Sequence, residues 1–482
     1  MASTQGKEVV PATQQFDLVV IGGGPGGYAA ALYAAAAGMS VAVVERDKVG
    51  GTCLHRGCIP AKQFLETATV FRTVAGAKEF GVQADQPTID FAASQARKQR
   101  VVDQLWKGLE GLMKRRRITT LAGTGRLGPA TAFGPRRLGH AVIVDDGTEL
   151  VGTSVVLASG SAARTLPGFE VDGRIVCTSD EVLDLERLPE SAVVVGGGAI
   201  GCEFASMMSD LGTRVTLLEA LPKLLPGCDV DVVDVVARSF ANRGIDVRTD
   251  VAVRSHAPEG NRTTVRFGDG ESVTVDMIVM SVGRRPLSET LGLEGTGVEV
   301  DERGFVAVDD HLRTAEPGVY ALGDLVDTPQ LAHVGFAEAI VAVKDMLGES
   351  PLPVDHAKVP WCIYCFPEVA FAGMSEQAAR HAGLDVVASK HRFSGNSRAL
   401  IVGEPDGLVK VIAERQPDGR AGRLLGVHMV GPWVTEQLAE GWLSVNWEAT
   451  PDEISQYVHP HPTLSETFGE TVLSLTGRGL HG

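Results

Sequence analysis

Residues 16–27 read Phe16-Asp17-Leu18-Val19-Val20-Ile21-Gly22-Gly23-Gly24-Pro25-Gly26-Gly27. The apolar run 16–21 has the length and β-branched content of a buried strand, and the glycines break it into a tight turn. An alanine-rich helix is predicted over 28–37, and a second strand, Val41-Ala42-Val43-Val44, ends at Glu45. Gly22, Gly24 and Gly27 form G-x-G-x-x-G in a strand-turn-helix-strand unit, with an acid 18 residues past the last glycine. A single copy of this pattern is a weak signal, because glycine-rich turns are common.

The pattern returns. Ala192-Val193-Val194-Val195 leads into Gly196-Gly197-Gly198-Ala199-Ile200-Gly201, a helix is predicted to Leu211, and Val215-Thr216-Leu217-Leu218 ends at Glu219. The last glycine of the turn and the acid are again 18 residues apart, and in both copies a further glycine, Gly38 or Gly212, lies 11 residues past the turn. Two copies in register turn a weak signal into a strong one. In each, glycines let the backbone approach a pyrophosphate, the helix N-terminus offers unpaired N–H groups, and the acid accepts from ribose hydroxyls. Two dinucleotides are therefore expected. At the second site the Glu219 carboxylate repels a 2′-phosphate, and only Lys223 follows where an arginine cluster would serve NADP, so NAD is favoured. Val155-Val156-Leu157-Ala158-Ser159-Gly160-Ser161 and Val279-Met280-Ser281-Val282-Gly283-Arg284-Arg285-Pro286 read as closing strands of the two nucleotide domains.

Composition sets the limits. At 482 residues and 44% hydrophobic, the chain can build several packed cores. Sixty acidic against 44 basic side chains, a net charge of −16, argue against nucleic acid or an anionic membrane as partner. The polar start, MASTQGKEVVPATQQ, reads as a flexible arm without the basic and apolar regions of a signal peptide, and no later run has the length of a membrane span. Seven cysteines, odd in number and mostly scattered, suit a reducing compartment, so a cytoplasmic protein is expected.

Three further stretches complete a pattern: Gly50-Gly51-Thr52-Cys53-Leu54-His55-Arg56-Gly57-Cys58-Ile59-Pro60-Ala61-Lys62, then Gly318-Val319-Tyr320-Ala321-Leu322-Gly323-Asp324, then His459-Pro460-His461-Pro462-Thr463-Leu464-Ser465-Glu466. With the two fingerprints, and in this order, they resemble the pyridine nucleotide-disulfide oxidoreductases, the disulfide-dependent flavoprotein reductases, and among them the dihydrolipoamide dehydrogenase branch. The likeness runs from about residue 16 to 475. It implies an α/β protein with two Rossmann-like domains, for FAD (16–160) and NAD (161–286), after the arm 1–15. A central domain (287–352) would complete the FAD site, and a C-terminal α+β dimerisation domain (353–482) would follow.

The resemblance also assigns residues. FAD would be held by Gly22, Gly24 and Gly27, by Glu45 at the adenosine ribose, and by Gly51, Thr52 and Lys62. Gly160, Gly323, Asp324 (at the ribityl or pyrophosphate part), Ala332 and His333 would complete its site. NAD would use Gly196, Gly198, Gly201, Glu219 and Gly283. Cys53 resembles the thiol that meets substrate, and Cys58 the sulfur that faces the flavin. Lys62 would stand near flavin N5, paired with Glu203. His461 resembles the base and Glu466 the carboxylate that orients it, reaching the disulfide of the other subunit of an obligate homodimer. The implied cycle oxidises dihydrolipoamide through a Cys53-Cys58 disulfide and FAD and passes hydride to NAD, with a lipoyl carrier of a 2-oxoacid dehydrogenase or glycine cleavage complex as partner.

The residues themselves bear on the two sulfurs. Zinc would want a second ligand pair at suitable spacing, and no metal site is expected. A structural disulfide over so short a loop removes little chain entropy. A redox pair at a helix start is favoured by the helix dipole, which lowers thiol pKa. Pro460 and Pro462 stiffen the segment that carries the two histidines.

The chain also departs from its relatives. His55-Arg56 stands where many carry Asn-Val, and His55 could be a second base or a helix-start residue that packs or faces solvent, while Arg56 could lower a thiol pKa or favour an anionic substrate. Ala61 replaces a frequent serine. Ala199 stands where a larger residue often covers the flavin, which predicts easier NADH access and some oxidase or diaphorase activity. Cys362-Ile363-Tyr364-Cys365 has redox or metal spacing, yet reads as apolar strand. Cys177, Cys202 and Cys228 read as small packing residues. Lys114-Arg115-Arg116-Arg117 reads as a solvated helix end that could instead steer an acidic partner. The alternatives are a glutathione- or mercuric-reductase-like enzyme and a flavoprotein scaffold without turnover. Glu219 opposes the first, the absence of cysteine after Glu466 opposes the second, and retention of Cys53, Cys58, His461 and Glu466 opposes the third.

Overall fold

The computed structural model describes residues 14–133 and 137–481. Most of the expected N-terminal arm lies outside these residues, and its last two, Gln14 and Gln15, already belong to the strand Gln14–Ile21. The chain forms two compact units, each discontinuous in sequence. The first comprises Met1–Pro60, Gln99–Ala162 and Arg284–Val354, and the second Ala61–Lys98, Ala163–Gly283 and Asp355–Gly482.

The first unit is built on the strand Gln14–Ile21. It pairs in parallel with Val41–Glu45 on one side and Glu149–Leu157 on the other. Thr119–Ala122 extends the sheet beyond Val41–Glu45, Val319–Ala321 joins Glu149–Leu157 in parallel, and Arg137–Val144 and Gly125–Phe133 add an antiparallel flank. Alternate residues of the central strand enter different cores, as a pleat requires. Leu18 and Val20 pack with Ala30, Ala31 and Ala34 of the helix Pro25–Ala36 and with Ala339 and Val343 of the helix Ala332–Met346. Val19 and Ile21 face Leu127, Val142 and Val319. The last four residues of the central strand, Leu18–Ile21, are buried on both faces, which explains their unbroken apolar run.

The second unit repeats the design. Asp246–Arg248, Arg214–Leu218, Ser191–Val195, Met277–Met280 and Val176–Cys177 lie in that order in one sheet, all parallel. A three-stranded antiparallel sheet, Val253–Glu259, Arg262–Phe267 and Glu271–Val275, accompanies it. The C-terminal part is an antiparallel five-stranded sheet ordered Trp361–Ile363, Glu368–Gly373, Ala421–Gly431, Leu408–Arg415, Val386–Arg392. Val434 and Leu438 of the helix Val434–Asn446 and Phe468 and Val472 of the helix Glu466–Leu475 pack in its core. The stretch read as apolar strand around Cys362 is two strands, with residues 364–367 turning between them.

No helix among the described residues is long and apolar enough to cross a membrane.

Candidate active site

The two glycine turns match in detail. Gly22 has φ 101°, and a β-carbon there would lie 2.3 Å from the Ala158 carbonyl oxygen; at Gly196 φ is 106° and the distance, to the Ser281 oxygen, is again 2.3 Å. A β-carbon at Gly27 would lie 1.9 Å from the Gly22 oxygen, and one at Gly201 1.8 Å from that of Gly196. Only glycine fits these close approaches of strand, turn and helix. Gly24 and Gly198 cap the two helices with open space beside them, so the helix N-terminal N–H groups can be reached by an anion.

The acids have a part in the turn itself. Glu45 accepts the Gly23 N–H at 2.6 Å and the Asp47 N–H at 2.8 Å. Glu219 likewise accepts the N–H groups of Gly197 and Leu221. Each carboxylate thus ties the glycine turn to the chain leaving the second strand, and its oxygens keep lone pairs for a ribose. Lys223, the base that follows Glu219 in sequence, pairs with Asp234 at 3.3 Å.

Beyond each acid lies a cavity at the corresponding place in the repeat. The first, about 850 Å³, is bordered by Glu45, Lys48, Trp106, Lys114, Arg117 and the strand Thr119–Ala122. The second, about 610 Å³, is bordered by Lys223, Leu224, Val233, Asp234 and the 245–247 stretch. The Trp106 indole N–H is buried and has no acceptor among the described residues. A buried donor without a partner costs about 1–3 kcal/mol. The open helix starts at Gly24 and Gly198, each with an acid at the end of the next strand, fit a dinucleotide. Trp106 was missed in the sequence because it lies 61 residues past Glu45 in no recognisable motif. Arg115 ends its helix and Arg117 has φ 58°, so the basic run is a helix end as read, with Lys114 and Arg117 facing the cavity.

In the first unit, Asp324 lies in the short turn Gly323–Leu325 and accepts from the Ser161 hydroxyl. Arg284 donates to the Ser161 hydroxyl at 2.7 Å and to its carbonyl at 2.8 Å. The Gly323 N–H is held by the buried Glu338 at 2.7 Å, and Ala332 and His333 open the helix Ala332–Met346. Gly160 and Gly283 both take positive φ, 75° and 97°. Ser161, Arg284 and Glu338 were not singled out in the sequence; the topology brings the first two to Asp324 and the third to Gly323.

Cys53 is in the short helix Gly51–Arg56, with Thr52 beside it, and Cys58 begins the helix Cys58–Gly76. Both thiols act electrostatically on Tyr28 of the first fingerprint helix. Burial pushes the Tyr28 hydroxyl up to about 12, and the Cys53 and Cys58 sulfurs add to the effect, so it remains a donor at neutral pH. His55 Nε2 lies 3.0 Å from the Val49 carbonyl and its ring meets Trp106 edge-on at 6.0 Å, and Arg56 pairs with Asp47 at 2.9 Å. His55 is thus a packing residue, and the Arg56 charge is shared with a carboxylate.

In the second unit, Lys62 Nζ reaches both oxygens of the buried Glu203 at 2.9 Å. The Tyr364 N–H donates to the same carboxylate at 2.9 Å, and its ring lies 5.1 Å from Nζ. The Cys362 and Cys365 thiols point at different carbonyls, those of Thr435 and Pro367. Burial pushes the Cys362 thiol up to about 11, which suits packing. Ala199 is the first residue of the second fingerprint helix. His461 Nδ1 lies 2.8 Å from Glu466, and His461 stays exposed. Burial alone would raise the Glu466 carboxyl, but the Thr463 N–H and the bond with His461 hold it below the usual range.

This chain belongs to the pyridine nucleotide-disulphide oxidoreductase family: residues 16–339 match that family's model, and residues 359–472 match its dimerisation domain. FAD and NAD are its cofactors. Among curated relatives it is 41% identical over 475 residues to a dihydrolipoyl dehydrogenase of Bacillus subtilis, covering 97% of this chain and 99% of that protein. It is 36% identical over 470 residues to one of Haloferax volcanii, covering 96% and 97%. Among solved structures, LpdA from Mycobacterium tuberculosis superposes with a TM-score of 0.87 at 27% identity, covering 96% of this chain and all of that one. The HOCl-induced flavoprotein disulfide reductase RclA of Escherichia coli gives 0.83 at 26%, covering 95% and 99%.

Proposed function

We propose that the protein is a dihydrolipoyl dehydrogenase that works as a homodimer in the cytoplasm and takes its substrate from a lipoyl-bearing carrier protein. The observation that carries the reading is the setting of Cys53 and Cys58: one lies in the short helix Gly51–Arg56, the other begins the helix Cys58–Gly76, and both act electrostatically on Tyr28, on the helix that opens the FAD cradle. FAD, when bound, supplies the chemistry that turns the dithiol's electron pair into a hydride for NAD.

The chain's own residues do the rest. His461, oriented by Glu466, takes the proton of a dihydrolipoyl thiol, because the thiolate is the nucleophile. That thiolate attacks Cys53, the Cys53-Cys58 bond breaks, and Cys58 leaves as a thiolate. The second substrate thiol then displaces Cys53, lipoyl disulfide departs, and the electron pair rests on the two cysteines. Lys62, fixed by Glu203, keeps a directed positive charge. Trp447, Tyr457 and Val458 are exposed on the C-terminal part, as a face that pairs with a second copy would be.

Steady-state rates with dihydrolipoamide and NAD, set against oxidised glutathione with NADH or NADPH, test the assignment. The first pair should dominate, and Cys53→Ser should abolish it. Preference for the glutathione pair would overturn the reading. Ala199 covers little, so flavin reduction by NADH in rapid mixing should be slower in Ala199→Tyr; equal rates would remove the proposed role of the small side chain.

A further inference from the structure

The segment His459–Glu466 carries two histidine–carboxylate pairs, and the mechanism uses one. His461 Nδ1 and Glu466 Oε1 are 2.8 Å apart, with the His461 side chain 73% exposed. His459 Nε2 lies equally close, 2.8 Å, to Glu440 Oε1, but its side chain is only 16% exposed. Glu440 is on the helix Val434–Asn446, 19 residues upstream. The His459 ring rests on Gly469 of the helix Glu466–Leu475, where a β-carbon would lie 2.6 Å from Nδ1. The bond to Glu440 raises His459 above its usual value against the effect of burial, with Glu466 and the Tyr457 carbonyl also contributing. Nε2, bonded to the Glu440 carboxylate, carries its hydrogen there and has no lone pair to accept a substrate proton, while Nδ1 faces Gly469.

We propose that Glu440 and His459 are a positioning pair: they pin the segment between two helices so that His461 is presented at one place, and they are not a second base. The inference rests on the reading of His461 as the base. The single residue between the histidines is Pro460, whose ring fixes φ, so the placement of His459 passes to His461 through few free torsions. On the far side, Thr463 donates from its hydroxyl to the Pro460 carbonyl at 2.8 Å and from its N–H to Glu466 at 2.7 Å. Glu466 therefore orients His461, and Glu440 holds the stretch that carries it. A displacement of about 1 Å at a reacting group can cost about 100-fold in rate.

The test compares Glu440→Ala, Glu440→Gln, Gly469→Ala and His461→Gln in the holoenzyme. Two activities are read: dihydrolipoamide with NAD, and NADH with ferricyanide, which needs neither the cysteines nor His461. Glu440→Ala and Gly469→Ala should lower kcat for dihydrolipoamide roughly 10-fold or more, with KM within about twofold and the ferricyanide rate kept. Glu440→Gln, whose amide oxygen still accepts from His459, should recover most of the loss. Unchanged kcat in Glu440→Ala, or parallel loss of both activities, would overturn the proposal. If His461→Gln is inactive while Glu440→Ala is normal, only the positioning role fails; if His461→Gln turns over normally, the base assignment fails and takes the positioning role with it.

Discussion

Lys62 and Glu203 are 141 residues apart and meet as a pair whose carboxylate is buried and whose lysine side chain is 34% exposed. A surface pair of this kind would contribute at most about 1 kcal/mol. Burial of Glu203 changes the outcome, because Lys62→Met leaves a buried carboxylate held by the Tyr364 N–H without its cation. Breaking a fully buried pair costs roughly 3–5 kcal/mol. With Lys62 partly in water, a loss of about 2–3 kcal/mol is expected in urea unfolding, and the double variant Lys62→Met/Glu203→Gln should regain most of it. The histidine pairs behave differently with pH. His459 lies above its ordinary value of 6.5, so its contribution is complete below 6.5 and is lost as pH rises through the folded value. Glu466 lies below its ordinary 4.5, so its contribution is complete above 4.5 and is lost as pH falls through the folded value. An NMR titration of His459 should give a midpoint above 6.5 that falls toward 6.5 in Glu440→Gln. A midpoint at or below 6.5 in the native protein would contradict this.

At the scale of the element, the two fingerprints are one device used twice. In both, a strand enters a turn that only glycine can make, a helix leaves it through the second glycine, and an acid closes the turn from the next strand. The close approach at Gly27 and Gly201 makes alanine impossible without moving the turn, although the two sites have different ligands. Gly27→Ala should therefore purify with little flavin, seen as loss of visible absorbance. Gly201→Ala should keep its flavin but show KM for NADH raised at least roughly tenfold, about 1.4 kcal/mol of binding. Flavin loss in Gly201→Ala would break this division of labour. The repeat could be read because its causes are local: a strand, a turn and a helix start lie within a dozen residues. The split of the stretch around Cys362 into two strands could not be read, because antiparallel pairing with Ala421–Gly431 decides where Glu368–Gly373 begins.

At the scale of the whole molecule, the second unit holds a buried charge network with no motif. Lys410 Nζ lies 3.0 Å from Asp229, 2.7 Å from Asp231 and 2.7 Å from Glu376, with its side chain 3% exposed. Asp229 caps the helix Val230–Asn242, and its own N–H donates to His428 Nδ1 at 3.2 Å. Burial pushes His428 down to about 4, so it stays a neutral acceptor. Lys410→Met would leave Asp229 without its cation in a site closed to water, and a loss of roughly 3–5 kcal/mol is expected in urea unfolding. A loss under about 1 kcal/mol, the size of a surface pair, would show that the network is solvated.

The chain's own order determined what depends on neighbours in sequence: two nucleotide turns, the paired cysteines, and a proline-stiffened segment with two histidines and a glutamate. Spacing and local backbone preference are enough for these. The tertiary structure decided which of those residues have company. It set Trp106 at the cavity beside Glu45, put Arg284 and Ser161 at Asp324, turned His55 toward the Val49 carbonyl, and gave His459 a carboxylate 19 residues away. These partners come from distant strands and helices, and a hydrogen bond or ion pair depends on where the fold brings two groups together, which no local pattern records.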